Sequence, residues 1–192
     1  MSKCLFIVDG AAGTGKTDLI EYVESNLRNA GVLKKLTSRP MRDEERRHGT
    51  TSDLIFLSQA EFDAMRLDYA YEYRGYSYGF SKQDLTSLLS KYDQAFVIIR
   101  SIPVIRRLAE ATESHDVIKV YVHSDPCKTS QRLKAQGYTD NQIQFRLSRI
   151  EDTYREYILN KSFYDELLFN KSEKSDYHRL IDNLVMKYSQ PQ

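Results

Sequence analysis

An eight-residue segment near the N-terminus constrains the fold of this chain more than any other feature. Residues 10–17 read GAAGTGKT, a glycine followed after four residues by Gly-Lys-Thr. A short apolar run, Leu5 to Val8, precedes the segment, and apolar residues at helical spacing follow it from Leu19 to Leu27. Glycines let such a turn curl so that its N–H groups face phosphate oxygens, and the helix behind it adds its positive end. The sequence therefore predicts a strand, a phosphate-binding loop and a helix, which Gly31 is expected to close.

The chemistry of this segment predicts an ATP site. Lys16 brings a mobile positive charge to the β and γ phosphates, and Thr17 offers a hydroxyl to Mg²⁺. A chance glycine-rich turn is the alternative, and the pattern should arise by accident in roughly 1% of chains of this length. The predicted ATP-binding residues are Gly10, Ala11, Ala12, Gly13, Thr14, Gly15, Lys16 and Thr17; ATP and Mg²⁺ are the predicted cofactors.

Apolar runs of strand length alternate with helical segments along the rest of the chain. This alternation is typical of an α/β fold in which helices cover a parallel sheet. The predicted strands are 5–8, 55–57, 95–99, 117–122 and 167–169, with a further apolar run at 32–36 and a strand-like aromatic patch at 69–78. The basic stretch 37–52 has no hydrophobic period and is predicted to be a loop.

Several helices are predicted from their caps and periodicity. Ser58 opens a capping box before a helix that carries Phe62 and Met65, and Ser81 is expected to cap another. Residues 102–111 form the predicted crossover helix, and 125–160 are helical apart from a break at 136–138, an arrangement suited to a lid. The closing helix, 177–188, is expected to bury Leu180, Leu184 and Val185.

Composition narrows the class of protein. The 192 residues carry a net charge of +1, which fits one compact domain and argues against a general nucleic-acid binder. Cys4 and Cys127 are predicted to be free thiols. Neither a signal-peptide core nor an apolar stretch of about 18 residues is visible, so we expect a cytoplasmic protein without membrane contact.

A second motif lies in the basic loop. Arg39 and Arg42 flank Pro40, which fixes an extended backbone that aims both guanidinium groups at one phosphate. Bidentate forks suit a phosphate better than lysines do. A solvated charged loop is the alternative.

Four segments in order resemble the guanylate kinase family. They are residues 10–17, TSRPMR at 37–42, FLSQAEF at 56–62 and GYSYGFSK at 75–82, and QRL at 131–133 with FRLS at 145–148 is similar to that family's lid. The resemblance spans nearly the whole chain. It implies a three-layer α/β/α P-loop kinase fold with a core (1–36, 94–124 and 161–192), an acceptor-binding insert (37–82) and a lid (125–160).

The resemblance also implies an activity. The family transfers the γ-phosphoryl group of Mg-ATP to a nucleoside monophosphate. By similarity, Arg39, Arg42 and Tyr78 hold the acceptor's phosphate. Arg132 and Arg146 reach over the transferring group as catalytic residues with Lys16. Asn170 is expected near the adenine of ATP.

The sequence departs from the family's pattern in the acceptor site. Tyr69 stands where the family has the acidic residue that reads guanine, with Glu72 as a neighbouring substitute, and Phe80 replaces the usual Ser or Thr. Arg100 ends a strand that normally ends in acidic residues. It is expected to bind the acceptor or, alternatively, to form a salt bridge. Asp9 is left as an outer-shell Mg²⁺ partner.

Three functions follow as alternatives. A nucleoside monophosphate kinase acting on GMP, dGMP or another nucleotide is favoured, as a monomer or homodimer. A kinase of a phosphorylated sugar, such as ribose bisphosphate, keeps the same ATP site. A protein-binding module that has lost catalysis has no need of the intact loop at 10–17, so the sequence favours an enzyme.

Overall fold

The computed structural model describes residues 3–42, 45–46, 53–112, 115–171 and 173–189. Its strands are β1 (Cys4–Asp9), β2 (Ala30–Val32), β3 (Lys35–Thr37), β4 (Leu54–Phe56), β5 (Tyr69–Tyr73), β6 (Tyr76–Phe80), β7 (Gln94–Ile98), β8 (Asp116–Ser124) and β9 (Glu166–Asn170). The helices are α1 (Lys16–Asn26), α2 (Gln59–Asp63), α3 (Lys82–Lys91), α4 (Ile102–Glu110), α5 (Pro126–Ala135), α6 (Asp140–Leu159) and α7 (Lys174–Ser189), with a 3₁₀ turn at Lys161–Phe163.

A five-stranded parallel sheet forms the core, in the order β2-β7-β1-β8-β9. Because side chains alternate along a strand, β1 supplies both hydrophobic layers. Its residues Phe6 and Val8 pack with α1 and α7, whereas Leu5 and Ile7 pack with α3 and α4. The predicted three-layer α/β/α fold is confirmed, and the parallel order brings the carboxyl ends of β1, β7 and β8 to one edge.

A smaller mixed sheet has the order β4-β3-β6-β5. Its hairpin turns at Arg74 and Gly75, both with positive φ. Lys35 of β3 forms a buried ion pair with Asp53, just before β4, and so ties the two ends of the basic stretch together. The proposed division into core, insert and lid stays a prediction. The smaller sheet begins at Lys35, two residues before the predicted start of the insert at residue 37.

Local capping chemistry explains where three helices begin. Ser58 and Ser81 form the capping boxes of α2 and α3, and Thr139 forms a third before α6. The predicted break in the 125–160 segment lies between α5 and α6, where Gly137 has a φ of 82°. The predicted starts of α2 and α3 are therefore confirmed.

Some details of the predicted helices are wrong. Gly31 does not close α1, which ends at Asn26; it lies in β2, where an added Cβ would stand 2.4 Å from the Tyr92 ring. Met65 falls beyond the end of α2 and is exposed. In α7, Leu180 is 37% exposed, and Ile181 is fully buried in its place.

Other predictions from the sequence can be compared only in part. Thr37, at the start of the predicted loop, belongs to β3, while residues 43–44 and 47–52 of that loop lie outside the described part of the chain. Both cysteines are free thiols. Among the described helices, none combines the length and the apolar character needed to cross a membrane.

Candidate functional site

The loop at residues 10–17 joins β1 to α1 and has the backbone that its glycines predict. Gly10, Gly13 and Gly15 have φ values of 144°, 87° and 103°. A Cβ on Gly10 would lie 2.3 Å from the backbone oxygen of Val122, so a side chain has no room there. The Thr14 hydroxyl donates to the carbonyl of Ala11 at 2.9 Å and closes the turn. The loop is therefore shaped by its glycines and held by the neighbouring strand.

Lys16 is the first residue of α1, and its ammonium group folds over the loop. It donates to the carbonyl of Gly10 at 2.7 Å and also to that of Ala11. Burial lowers the pKa of Lys16 to about 7, with Arg100 adding to the decrease and Asp9 opposing it. Burial therefore disfavours the charged form of Lys16 in the free protein, and an anion bound at the loop would favour it.

Asn170 lies beneath the loop at the end of β9. Its side chain is 3% exposed, and its amide donates to the carbonyl of Thr14 at 3.1 Å. A Cβ on Gly15 would come within 2.3 Å of that amide nitrogen. The structure thus shows Asn170 supporting the loop, and its predicted contact with adenine stays a prediction.

We expect Asn170→Ala to destabilise the loop rather than to change nucleotide preference. Losing a buried hydrogen bond costs about 1–3 kcal/mol, because the carbonyl of Thr14 then lacks its donor. Thermal unfolding and the KM values for ATP and GTP would be measured. A lower melting temperature with an unchanged ATP to GTP ratio is expected; a changed ratio at constant stability would instead support adenine recognition.

The two predicted acceptor arginines lie near one another beside the smaller sheet. Arg39 is buried and pairs through both terminal nitrogens with Glu45, at 3.1 and 2.7 Å, while its guanidinium covers the Phe56 ring. Glu45 also accepts the backbone N–H of Arg42 at 2.8 Å. A carboxylate thus occupies the fork that suits a phosphate. Glu45 was missed by sequence reasoning because its pairing depends on the folded loop.

Tyr78 faces the same group of charges from β6. Its ring stacks on Tyr71 at 5.5 Å, and burial raises the pKa of Tyr78 while Arg39 and Arg42 oppose the increase. Arg42 is at the surface, yet partial burial and repulsion from Arg39 lower its pKa. The structure therefore brings Arg39, Arg42 and Tyr78 together, as their common predicted role requires.

The two predicted lid arginines have different contacts. Arg132 of α5 donates to the carbonyl of Gly13 at 2.6 Å, so it touches the loop directly. Arg146 of α6 bonds the Tyr138 hydroxyl at 3.1 Å and stacks over that ring. Repulsion from Arg146 contributes, after burial and Arg39, to the lowering of the Arg42 pKa. Arg132 is thus placed at the predicted ATP loop, whereas the lid role of both arginines stays a prediction.

Arg100 forms an ion pair with Asp9 at the ends of β7 and β1. Burial lowers the pKa of Arg100, but Asp9 and Tyr73 together outweigh burial, so the net shift is upward. Asp9 also accepts the backbone N–H of Gly10 and the Tyr164 hydroxyl, each at 2.6 Å. The salt-bridge alternative for Arg100 is therefore present in the structure. Tyr164 was missed because no local pattern links it to a strand 155 residues away.

The site offers Mg²⁺ one direct protein ligand, the hydroxyl of Thr17. Thr17 is exposed near the start of α1, where its hydroxyl can meet a phosphate-bound ion. Asp9 is occupied by three donors, and the described residues contain no group of three or more acidic, His or Cys ligands. An Mg²⁺ ion would therefore be held by Thr17, the ATP phosphates and water, which suits its preference for retained waters.

Comparison with known proteins adds to this geometry. No protein-family model matches the chain. It is 26% identical over 215 residues to guanylate kinase from Acinetobacter baylyi, covering 99% of this chain and 100% of that protein. The crystal structure of guanylate kinase from Anaplasma phagocytophilum superposes with a TM-score of 0.63 at 16% identity, covering 98% of this chain and 88% of that one. The resemblance is thus confirmed: this chain is a homologue of guanylate kinase with the P-loop kinase fold.

Proposed function

We propose that the protein is an ATP-dependent nucleoside monophosphate kinase. The observation that carries this proposal is a pair of cationic groups: Arg132 contacts the loop at Gly13, and Arg39 and Arg42 meet at Glu45 beside the smaller sheet. Arg132 and Arg146 would then bridge a donor phosphate site and an acceptor phosphate site. Transfer between two phosphates needs such a bridge, since alignment and charge neutralisation supply most of the catalysis.

On the donor side, the loop supplies inward N–H groups and Lys16. When ATP binds, its phosphates would draw the Lys16 ammonium away from the carbonyls of Gly10 and Ala11. Thr17 would help to hold Mg²⁺, which when bound would supply positive charge to the transferring phosphate. The γ-phosphorus bond to the β-phosphate oxygen breaks, and Lys16 and Arg132 balance the charge that develops there.

On the acceptor side, the monophosphate would displace Glu45 from Arg39. A phosphate, like a carboxylate, can offer two oxygens to the planar guanidinium fork, so it can take over the two hydrogen bonds that Glu45 accepts from Arg39. Arg42 and Tyr78 would bind the remaining oxygens. One acceptor oxygen then forms the new bond to phosphorus, yielding ADP and a nucleoside diphosphate. GMP and dGMP are the acceptors that the homology favours first.

ADP release with a panel of acceptors tests the proposal. The panel contains the common nucleoside and deoxynucleoside monophosphates and phosphorylated pentoses. We expect ADP formation that depends on one nucleoside monophosphate. ADP formation only with a pentose phosphate would favour the sugar-kinase alternative, and absence of both turnover and ATP binding would favour a non-catalytic module.

ATP affinity is expected to fall as pH rises through about 7. Lys16 has its folded-state pKa near 7 instead of 10.5, so above pH 7 the free protein loses the proton that phosphate binding requires. For the same reason, Lys16 makes the free fold more stable as pH rises from about 7 towards 10.5, since only the unfolded chain keeps the proton there.

Calorimetric ATP titrations at pH 6.5, 7.5 and 8.5, in buffers of different ionisation enthalpy, would check this pH dependence. Proton uptake on binding is expected above pH 7 in the wild type and absent in Lys16→Ala. A pH-independent affinity without proton uptake would contradict the assignment.

A further inference from the structure

A separate cavity of about 280 Å³ lies at the carboxyl end of the core sheet. Its lining includes Asp9 and Arg100 from the strand ends, Tyr121 from β8, Glu72 from β5 and Glu156 from α6. The smaller sheet, the core and α6 thus all contribute to its walls. The cavity shares Glu72 and Arg100 with the predicted acceptor residues, which places it on the acceptor side of the loop.

Two polar atoms in this wall lack partners. The Nε of Arg100 and the hydroxyl of Tyr121 are buried, and neither makes a hydrogen bond within the described part of the chain. Tyr121 is 1% exposed, and its pKa is raised by burial first and by Asp9 second. Arg100 opposes that increase, and both residues line the same cavity. Buried donors without partners are costly, so they point to something that binds there.

The charge of the lining selects among possible ligands. Arg100 pairs with Asp9 and lies 3.9 Å from the carboxylate of Glu156, and Glu72 adds a further carboxylate, so acidic groups outnumber Arg100 in the lining. Like charges at such a site disfavour a second phosphate. The rings of Tyr157 and Tyr164 add aromatic surface that suits a flat, uncharged ring.

The residues at the positions that the resemblance assigns near the base, Tyr69 and Phe80, are not available to contact it. Tyr69 and Phe80 are 6% and 0% exposed, and their rings stack on each other at 5.0 Å within the hydrophobic cluster under α4. Both rings are thus buried against each other, so neither is free to stack on a base. Recognition of the acceptor must therefore use other residues.

We propose that this cavity receives the base of the acceptor nucleotide and that Arg100 Nε and the Tyr121 hydroxyl both donate to one ring carbonyl oxygen. A carbonyl oxygen has two lone pairs and can take both bonds, whereas a ring nitrogen takes only one. The inference rests on the proposed kinase function and sharpens it. Nucleotides with a ring carbonyl are accepted, AMP is a poor acceptor, and a pentose bisphosphate is excluded by the carboxylates.

Tyr121→Phe tests the proposal because it removes only the hydroxyl. With the preferred carbonyl-bearing nucleotide we expect the acceptor KM to rise about tenfold, as one buried hydrogen bond is lost, with the ATP KM unchanged. Since the hydroxyl has no partner in the free protein, the melting temperature should stay equal or rise; a purely structural role would lower it. Tyr177→Phe is the matched control, because its hydroxyl is equally buried and unpartnered but lies outside the cavity.

The outcomes separate this inference from the kinase function. Phosphoryl transfer with AMP or a pentose phosphate as the best acceptor would overturn the inference, and so would an unchanged acceptor KM in Tyr121→Phe, while ATP-dependent transfer itself would stand. Binding of ATP without transfer to any acceptor would overturn the proposed function and the inference with it.

Discussion

Replacing Lys16 by alanine is expected to lower kcat by about three orders of magnitude, because one preorganised charge at the transferring group contributes about that much. The ammonium already lies against the carbonyls of Gly10 and Ala11, at the centre of the loop. Lys16 is the first residue of α1 and the one basic side chain in residues 10–17. Its removal therefore leaves the loop without a side-chain cation. Steady-state ADP formation at saturating ATP and acceptor measures the effect.

Lys91→Ala is a suitable control for this variant. Lys91 is exposed at the end of α3, away from the loop, so its loss should leave kcat unchanged. The melting temperature of Lys16→Ala should be equal to or above that of the wild type near neutral pH, because burial of the ammonium is unfavourable. Near-normal turnover in a folded Lys16→Ala protein would contradict the donor site.

Arg39→Ala is expected to raise the acceptor KM about 100-fold, as two charge-assisted hydrogen bonds to its phosphate are lost. The KM for ATP should remain within about twofold, since Arg39 pairs with Glu45 and not with the loop at residues 10–17. Initial rates over a grid of ATP and acceptor concentrations separate the two constants.

Arg66→Ala provides the control for Arg39→Ala. Arg66 is exposed just after α2 and belongs to the same part of the chain, so its removal changes the net charge equally without touching the acceptor arginines. A fall in ATP affinity in Arg39→Ala, with the acceptor KM unchanged, would show that Arg39 serves the donor side instead.

The features predicted best from the sequence are those fixed by neighbouring residues. The loop at 10–17 needs glycines at particular positions, and the structure shows positive φ values at three of them. The capping boxes at Ser58 and Ser81 are closed within four residues, so they too can be recognised without tertiary information. Alternating apolar runs also indicated the parallel core, because buried strands need apolar residues on both faces.

Features that depend on contacts between distant residues were not predictable in the same way. Glycine is common at the end of a helix, which is why Gly31 was expected to close α1. It is instead required in β2, because the Tyr92 ring leaves no room for a Cβ. Tyr164 reaches Asp9 because β9 begins level with the end of β1: Glu166 pairs with Val120 of β8, which pairs with Val8. The Tyr121 hydroxyl gives no signal in the sequence, since a strand tyrosine is usually a packing residue.

Transfer of a labelled γ-phosphate from ATP to a nucleoside monophosphate tests the central claim most directly. We predict that wild-type protein moves the label to the β position of the corresponding nucleoside diphosphate, and that Lys16→Ala and Arg39→Ala do so far more slowly. Label recovered only as inorganic phosphate, or retained in ATP with every nucleotide acceptor, would contradict the account.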